Sequence, residues 1–204
     1  MKEKELRPKN LINEYFRLCK LDIKLFFNGK RNIIKKCISC NSMRIKKKYM
    51  KDTFIYSICL DCETLFNSNR PSLKSFEKFY TDSHSAKYWS DVFFPTVMKI
   101  RQKKIFKPNA IKILNILQKN KKSKFKSILD VGAGQGLLLD EFKKLLPASR
   151  FLAIEPSDGF SKVCSNKGYR TFKGIVENVK ISKNLPDLVI SNEVIEHVYS
   201  PYLY

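Results

Sequence analysis

The chain has 204 residues, a formal net charge of +21, and 43% apolar and 12% aromatic residues. It can bury a real core, as one domain or as a small domain beside a larger one. No apolar run approaches the ~20 residues of a membrane span, and the opening Met-Lys-Glu-Lys-Glu-Leu-Arg-Pro lacks the apolar segment of a signal peptide, so a cytoplasmic protein is expected, with no membrane partner.

The charge is uneven. Residues 127–204 hold nine basic and nine acidic residues, while residues 1–126 hold 31 basic and ten acidic ones and so carry the whole excess. Such asymmetry can mark contact with a nucleic acid or another anionic surface. Compositional bias toward Lys, Ile and Asn is the plainer source, and few of the basic residues stand beside aromatics in a pattern suited to stacking bases.

In chain order, Leu11, Ile12, Tyr15, Phe16, Leu18, Cys19, Ile23, Phe26 and Phe27 recur at helical spacing, and Asn28-Gly29 stops the run. A helix over 8–27 is expected within an N-terminal unit, 1–32. Cys37-x2-Cys40 and Cys59-x2-Cys62 follow, with 18 residues between the pairs. Each C-x2-C forms a knuckle that turns two sulfurs to one point, and two knuckles complete a tetrahedron. The spacing fits a four-thiolate structural zinc site in a ribbon over 33–66, with a hairpin turning at Lys51-Asp52. A disulfide pair is the competing reading and suits a reducing compartment poorly. Cys19 and Cys164 stand alone and read as small core residues.

A helical connector, 67–126, comes next. Residues 67–72 read as a turn before a short helix at 73–80. Residues 81–90, with His84 and the single Trp89, read as loop, with His84 on the surface. A long amphipathic helix is expected over 92–119, with a kink at Pro108. Lys119–Lys124 reads as a solvated linker.

The last unit, 127–204, alternates strand and helix: strand 127–131, helix 136–146, strand 150–155, helix 158–167, strand 169–172, a short helical or turn segment 174–181, strand 187–191 and helix 193–198. Ile128, Leu129 and Val131 lead into Gly132, Gly134 and Gly136, a turn that lets a ligand approach the backbone closely. Glu155 lies 19 residues past Gly136, where an acid can accept hydrogen bonds from ribose hydroxyls. A pyrophosphate loop of the form G-x-G-x-x-G would need glycine at 137, which is Leu137. Asp130, just before the glycines, would repel a pyrophosphate and suits a ligand with a cationic end, such as S-adenosylmethionine.

At these residues, and at Asp187-Leu-Val-Ile-Ser-Asn-Glu-Val-Ile-Glu-His-Val198, the chain resembles the class I S-adenosylmethionine-dependent methyltransferases. With its Cys-x2-Cys pairs it resembles bacterial members that carry an N-terminal zinc-binding segment and act on sugars or other small metabolites. The resemblance implies an α/β fold: a Rossmann-like methyltransferase sheet, incomplete at about four strands, behind a helical and zinc-ribbon N-terminal region. It implies S-adenosylmethionine as cofactor beside the structural zinc. Asp130 would orient the methionine end, Gly132, Gly134 and Gly136 give backbone access, and Glu155 holds the ribose diol. The plainer reading of Glu155 is a charge at a helix start. Glu177 would pass near the adenine or stand as a surface acid, and Asn192 and Glu193 lie at the mouth of the fourth strand. His197, four residues after Glu193 on an expected common helical face, is the candidate base for an acceptor hydroxyl. Its competing role is packing the helix start.

The family's sheet usually has about seven strands, so a fragment or truncated gene product with strand 187–191 as an exposed apolar edge is the expectation, completion of the sheet by another chain being the alternative. A small-molecule acceptor is the expected substrate, and the oligomeric state is open. One alternative is an RNA methyltransferase that uses the basic ribbon. Ser191-Asn-Glu-Val is not the Asn/Asp-Pro-Pro-Tyr/Phe loop with which many such enzymes grip a flipped base. The other is a non-catalytic remnant that binds a partner.

Overall fold

The computed structural model describes residues 3–120, 124–181 and 185–201. A short helix α1 (Glu3–Leu6) precedes α2 (Lys9–Phe26), which realises the expected first helix. β1 (Asn32–Ile33) pairs antiparallel with β5 (Asn69–Arg70) and closes the base of the cysteine region. Within it, β2 (Ile45–Lys51), β3 (Phe54–Cys59) and β4 (Leu65–Asn67) form a three-stranded antiparallel sheet. The β2–β3 hairpin turns at Asp52, whose φ of 53° is left-handed. The end of β4 and all of β5 fall in the stretch expected as turn, because Ser57 and Ser68 hydroxyls meet at 2.7 Å and Asn69 accepts the Ile55 N–H at 2.5 Å.

Ser72 caps α3 (Leu73–Asp82) by accepting the Ser75 N–H at 3.1 Å. From His84 to Lys119 the backbone then stays helical: α4 (His84–Tyr88), a π turn at Trp89–Phe93, α5 (Phe94–Arg101), a second π turn at Gln102–Phe106, and α6 (Lys107–Lys119). The loop expected at 81–90 is therefore corrected to helix. Its start is held twice over: Ser83 accepts the Ala86 N–H at 3.1 Å, and buried Asp22 of α2 accepts the N–H groups of His84 at 3.2 Å and Ser85 at 2.7 Å. His84 lies on the surface as expected, and its Nδ1 stands 3.0 Å from Asp22. Each π turn ends just before a proline, Pro95 or Pro108, whose missing N–H and ring cannot be fitted into a regular α turn. The kink expected at Pro108 is thus a widened turn on its N-terminal side. The expected linker at 119–124 lies partly outside the described residues.

The C-terminal unit contains β6 (Ser127–Val131), α7 (Leu137–Leu145), β7 (Arg150–Glu155), α8 (Asp158–Asn166), β8 (Arg170–Lys173), a 3-10 turn at Val176–Asn178, β9 (Leu188–Ser191) and a 3-10 turn at Ile195–His197. Its sheet is parallel, in the order β8-β7-β6-β9. β6 is buried along its whole length and β7 from Phe151 onward, the near-continuous apolar pattern of a central parallel strand. Ile128, Phe151, Ala153 and Ile190 pack on one face with Leu138, Leu139 and Phe142 of α7 and Leu114 of α6. Leu129, Val131, Leu152 and Ile154 point the other way, toward Phe172, Val176, Val179 and Ile181. α5 packs on the starts of α7 and α8 through Phe94, Leu137 and Phe160. Among the described residues β9 is an outer strand, with Val189 56% exposed, and no helix is long and apolar enough to cross a membrane.

The helix expected at 193–198 is reduced to the single turn at Ile195–His197. Glu193 has a φ of 58°, which no helical residue adopts, so Glu193 and His197 do not share a helical face.

Candidate functional site

In a parallel sheet wound this way, the crevice opens at the carboxyl ends of the strands, where the connection reverses between β6 and β9. β6 delivers Asp130, then Gly132, Gly134 and Gly136 with φ of 72°, 55° and 73°. These values favour glycine. Space separates their roles. A Cβ at Gly132 would stand 2.5 Å from Val194, and one at Gly136 2.9 Å from Tyr169, so both are needed for packing. A Cβ at Gly134 would meet nothing within 4 Å, so this is the face left open to a ligand.

The turn is anchored from behind. Gly132 and Ala133 donate to the Ile154 carbonyl at 2.8 and 3.1 Å. The Cys164 thiol donates to the Gly134 carbonyl at 3.2 Å, and burial pushes that thiol up to about 12, so it remains a donor. Lys167 Nζ reaches the Gln135 carbonyl at 2.7 Å and Asp140 at 2.6 Å.

β7 ends at Glu155, which is buried. Its carboxylate accepts the Gly134 N–H at 2.8 Å and the Ser157 N–H at 2.8 Å, one on each oxygen. It therefore locks the glycine turn to the start of α8, and each oxygen keeps acceptor capacity for a further donor. Burial raises its pKa to about 7, with the Ser157 and Gly134 amides pulling the other way. Asp130 is buried beside it, and burial followed by the Glu155 charge raises its pKa to about 8. Two adjoining buried carboxyls at the end of one crevice favour a ligand that brings a cation and hydroxyl donors.

A wall from the N-terminal half faces these acids. Tyr80 of α3 is largely buried, which raises its pKa ahead of the charges of Glu196, Glu177 and Glu155. Its ring meets that of His197 edge-on at 6.4 Å. Exposed His197 has Glu196 at 3.9 Å. Glu177 accepts the Tyr199 N–H at 2.8 Å, so one of its oxygens is committed to the backbone. The Tyr199 hydroxyl donates to the Pro71 carbonyl at 3.1 Å and accepts from Asn32 at 3.2 Å, Arg70 donates to its carbonyl, and Phe76 packs against its ring. The segment after β9 is thus strapped to the cysteine region and α3. Asn192 and Glu193 stand at the mouth of β9, Asn192 partly buried and Glu193 in its left-handed conformation. Sequence reasoning missed Tyr80 and Tyr199. Tyr80 closes the helix expected at 73–80, but nothing local pairs that helix with residues more than 100 positions later.

The four cysteines converge. The Cys37–Cys62 and Cys40–Cys59 sulfurs stand 3.6 Å apart, and all four lie within 4.8 Å of one another. A tetrahedron of bonds of about 2.3 Å requires edges of roughly 3.8 Å, so the set fits zinc. The two knuckles repeat each other. Ser39 and Asp61 N–H groups each point at the first sulfur of their pair from 3.4 Å. Asn41 and Glu63 donate to the Cys37 and Cys59 carbonyls at 3.0 and 3.1 Å, and both have φ near 60°, at 60° and 59°. The Thr64 hydroxyl lies 3.2 Å from Cys62 Sγ. Such outer hydrogen bonds orient thiolates and tune them for a metal.

Several solved structures are similar. The plantazolicin methyltransferase BpumL in complex with SAH is 17% identical, with 62% of this chain and 48% of that chain covered and a TM-score of 0.47. DesVI of Streptomyces venezuelae is 16% identical, with 50% and 45% covered and a TM-score of 0.40. A putative O-methyltransferase of Nostoc punctiforme is 18% identical, with 51% and 31% covered and a TM-score of 0.39. The chain spans about half the length of the first of these. No curated protein matches it. Residues 101–202, half of the chain and nearly all of the crevice, match the family described as "Methyltransferase domain", and the chain belongs to that family.

Proposed function

We propose that the chain is a cytoplasmic methyltransferase that holds S-adenosylmethionine across the carboxyl ends of β6, β7 and β8 and acts on a small-molecule acceptor such as a sugar. The observation that supports this most is Glu155. It ties Gly134 to Ser157 at 2.8 Å each and still presents acceptor capacity beside buried Asp130, the pairing a ribose diol and an ammonium would satisfy. S-adenosylmethionine supplies an activated methyl group when bound. In this reading Asp130 takes the ammonium, Gly134 leaves room for the ligand, Glu155 accepts from the ribose, Glu177 borders the adenine, and Asn192 and Glu193 line the far side. His197 takes the proton of an acceptor hydroxyl, with Tyr80 beside it. Cys37, Cys40, Cys59 and Cys62 hold a structural zinc whose four thiolates leave no open position for chemistry.

Calorimetry tests the reading. The chain should bind S-adenosylmethionine or its demethylated product, and Glu155→Ala should weaken that binding by ~1–3 kcal/mol through lost charge-assisted hydrogen bonds. Binding of NAD with no binding of either adenosyl ligand would defeat it.

A second reading, methylation of RNA, is favoured by the outer strand of the ribbon. Lys46, Lys47, Lys48 and Lys51 are exposed along β2, and Tyr49 stacks on Tyr56 at 4.9 Å and 15°. Retardation of labelled RNA that falls steeply with salt, and is lost when the four lysines become Glu, would support this reading.

A further inference from the structure

The helical run from Phe94 to Lys119 carries seven basic residues and no acidic one. Three of the lysines fall in a row. Lys99, Lys103 and Lys107 stand four residues apart, and the next step of four reaches Ile111. On a regular α-helix such a row drifts ~40° round the axis at each step. The π turn at Gln102–Phe106, with more residues to the turn, lets the row fall back. The three lysines and Ile111 therefore line one side of a single groove of about 480 Å³, and Glu141, Lys144 and Leu145 of α7 line the other.

The groove pairs cations with apolar surface. Ile111 and Leu145, 42% and 45% exposed, give it an apolar lining from both helices. Its one lining acid, Glu141, is buried, and Oε1 of that carboxylate accepts from Gln102 at 2.9 Å and from Lys144 at 2.5 Å. Lys99, Lys103 and Lys107 are exposed and form no ion pair among the described residues. Three cations thus stand beside exposed apolar side chains with no acid of this chain to meet them. The groove is also separate from the crevice. α7 starts at the glycine turn and runs away from it, and Lys144 and Leu145 lie at its far end. The groove therefore opens toward the opposite end of the sheet.

We propose that this groove docks an acidic amphipathic helix of a partner protein. Carboxylates four residues apart on such a helix match the lysine row, and apolar residues beside them cover Ile111 and Leu145, as when a helix lies in a groove. The lysines steer an acidic partner to the site, and the apolar pair holds it there. Other occupants fit less well. A nucleic acid would leave the apolar lining uncovered, and no arginine or aromatic ring lines the groove to grip its bases. A membrane surface accepts apolar residues that protrude, whereas Ile111 and Leu145 line a concavity. A second copy of the chain brings another net charge of +21 and is repelled.

Fluorescence anisotropy on the full chain would use a labelled helical peptide with Glu at every fourth position and two Leu beside them. It should bind in the micromolar range and weaken as salt rises. Lys103→Glu combined with Lys107→Glu should weaken it by at least about 10-fold, and Ile111→Ser by about 3- to 10-fold. Lys46→Glu combined with Lys47→Glu on β2 makes the same change in net charge and should alter binding less than about 2-fold. Thermal unfolding would establish that each variant folds. A peptide with both Leu replaced by Ser tests the apolar half without touching the chain, and should bind about 10-fold more weakly. Equal weakening by the β2 pair would overturn the proposal, since net charge alone would then explain binding. Equal binding of the Ser peptide would overturn it by reducing the groove to a general anion patch. Absence of peptide binding, or tighter binding of single-stranded RNA or anionic lipid vesicles that depends on Lys103 and Lys107, would overturn the choice of a protein helix.

Discussion

The cysteine ribbon and the parallel sheet reach order by opposite means. The ribbon's buried apolar cluster is Cys37, Cys59 and Phe66, so two of its three members are metal-ligand candidates. Exposed lysines line its outer strand. The sheet buries β6 throughout and packs Leu138, Leu139 and Phe142 against it, with charges in balance over residues 127–204. A unit with so little apolar area cannot offset its chain entropy by burial, and a metal replaces the missing core. A unit with a continuous core can instead tolerate two buried acids and a strained loop where a ligand is to bind.

Removing a thiolate should break the comparison most severely. Structural zinc in small domains contributes about 10–16 kcal/mol of apparent binding energy to folding. Cys59→Ser, or a chelator, should release one zinc and unfold the ribbon while the sheet keeps its own unfolding transition. Amide exchange resolved by residue would show the split, and a metal-free ribbon that stays protected under reducing conditions would refute the zinc assignment. Phe142→Ala is the converse. Phe142 is fully buried, and its loss should cost the sheet ~3–5 kcal/mol by denaturant unfolding while zinc content stays the same.

The pH response should also separate the regions. Asp130 has its folded pKa raised to about 8, so the stability it confers is fully present below the ordinary carboxylate range and is lost as pH rises through about 8. Ligand-free protein should therefore lose sheet stability between about pH 4 and 8, and Asp130→Asn should flatten that slope without touching the ribbon. A cationic ligand that ionises Asp130 should release protons on binding, measurable in buffers of different ionisation enthalpy. The smallest effect is expected at Glu193. Its φ of 58° is costly for a side chain that glycine would spare. Glu193→Gly should raise sheet stability by up to about 1 kcal/mol. A loss of stability would mean that the side chain is held by contacts rather than strained.

Much of this architecture was legible in the residues. Val131 and the three following glycines placed a strand and a turn, and the apolar period of α7 did the rest. The cysteine spacing located the ribbon because a knuckle is a local object. The loop expected at 81–90 failed because its helix start depends on Asp22, 62 positions away from His84. The expected Glu193–His197 helix failed because helical spacing was read across a residue held left-handed by the turn it makes at the crevice. The placement of Tyr80 at the site was illegible for the same reason as the Asp22 cap. Its partners are distant, and no local pattern of charge or apolarity announces it.

The strap at Tyr199 carries a consequence for the order of assembly. The β2–β3 hairpin closes with Lys51 directly opposite Phe54, whereas the Asn32–Tyr199 bond spans 167 positions. Entropy for closing so long a loop must be met by contacts already in place, so hairpin and knuckles can form early while the strap waits for both halves. The face bearing Tyr80 and His197 should therefore take shape last, after the ribbon and the sheet exist to be joined.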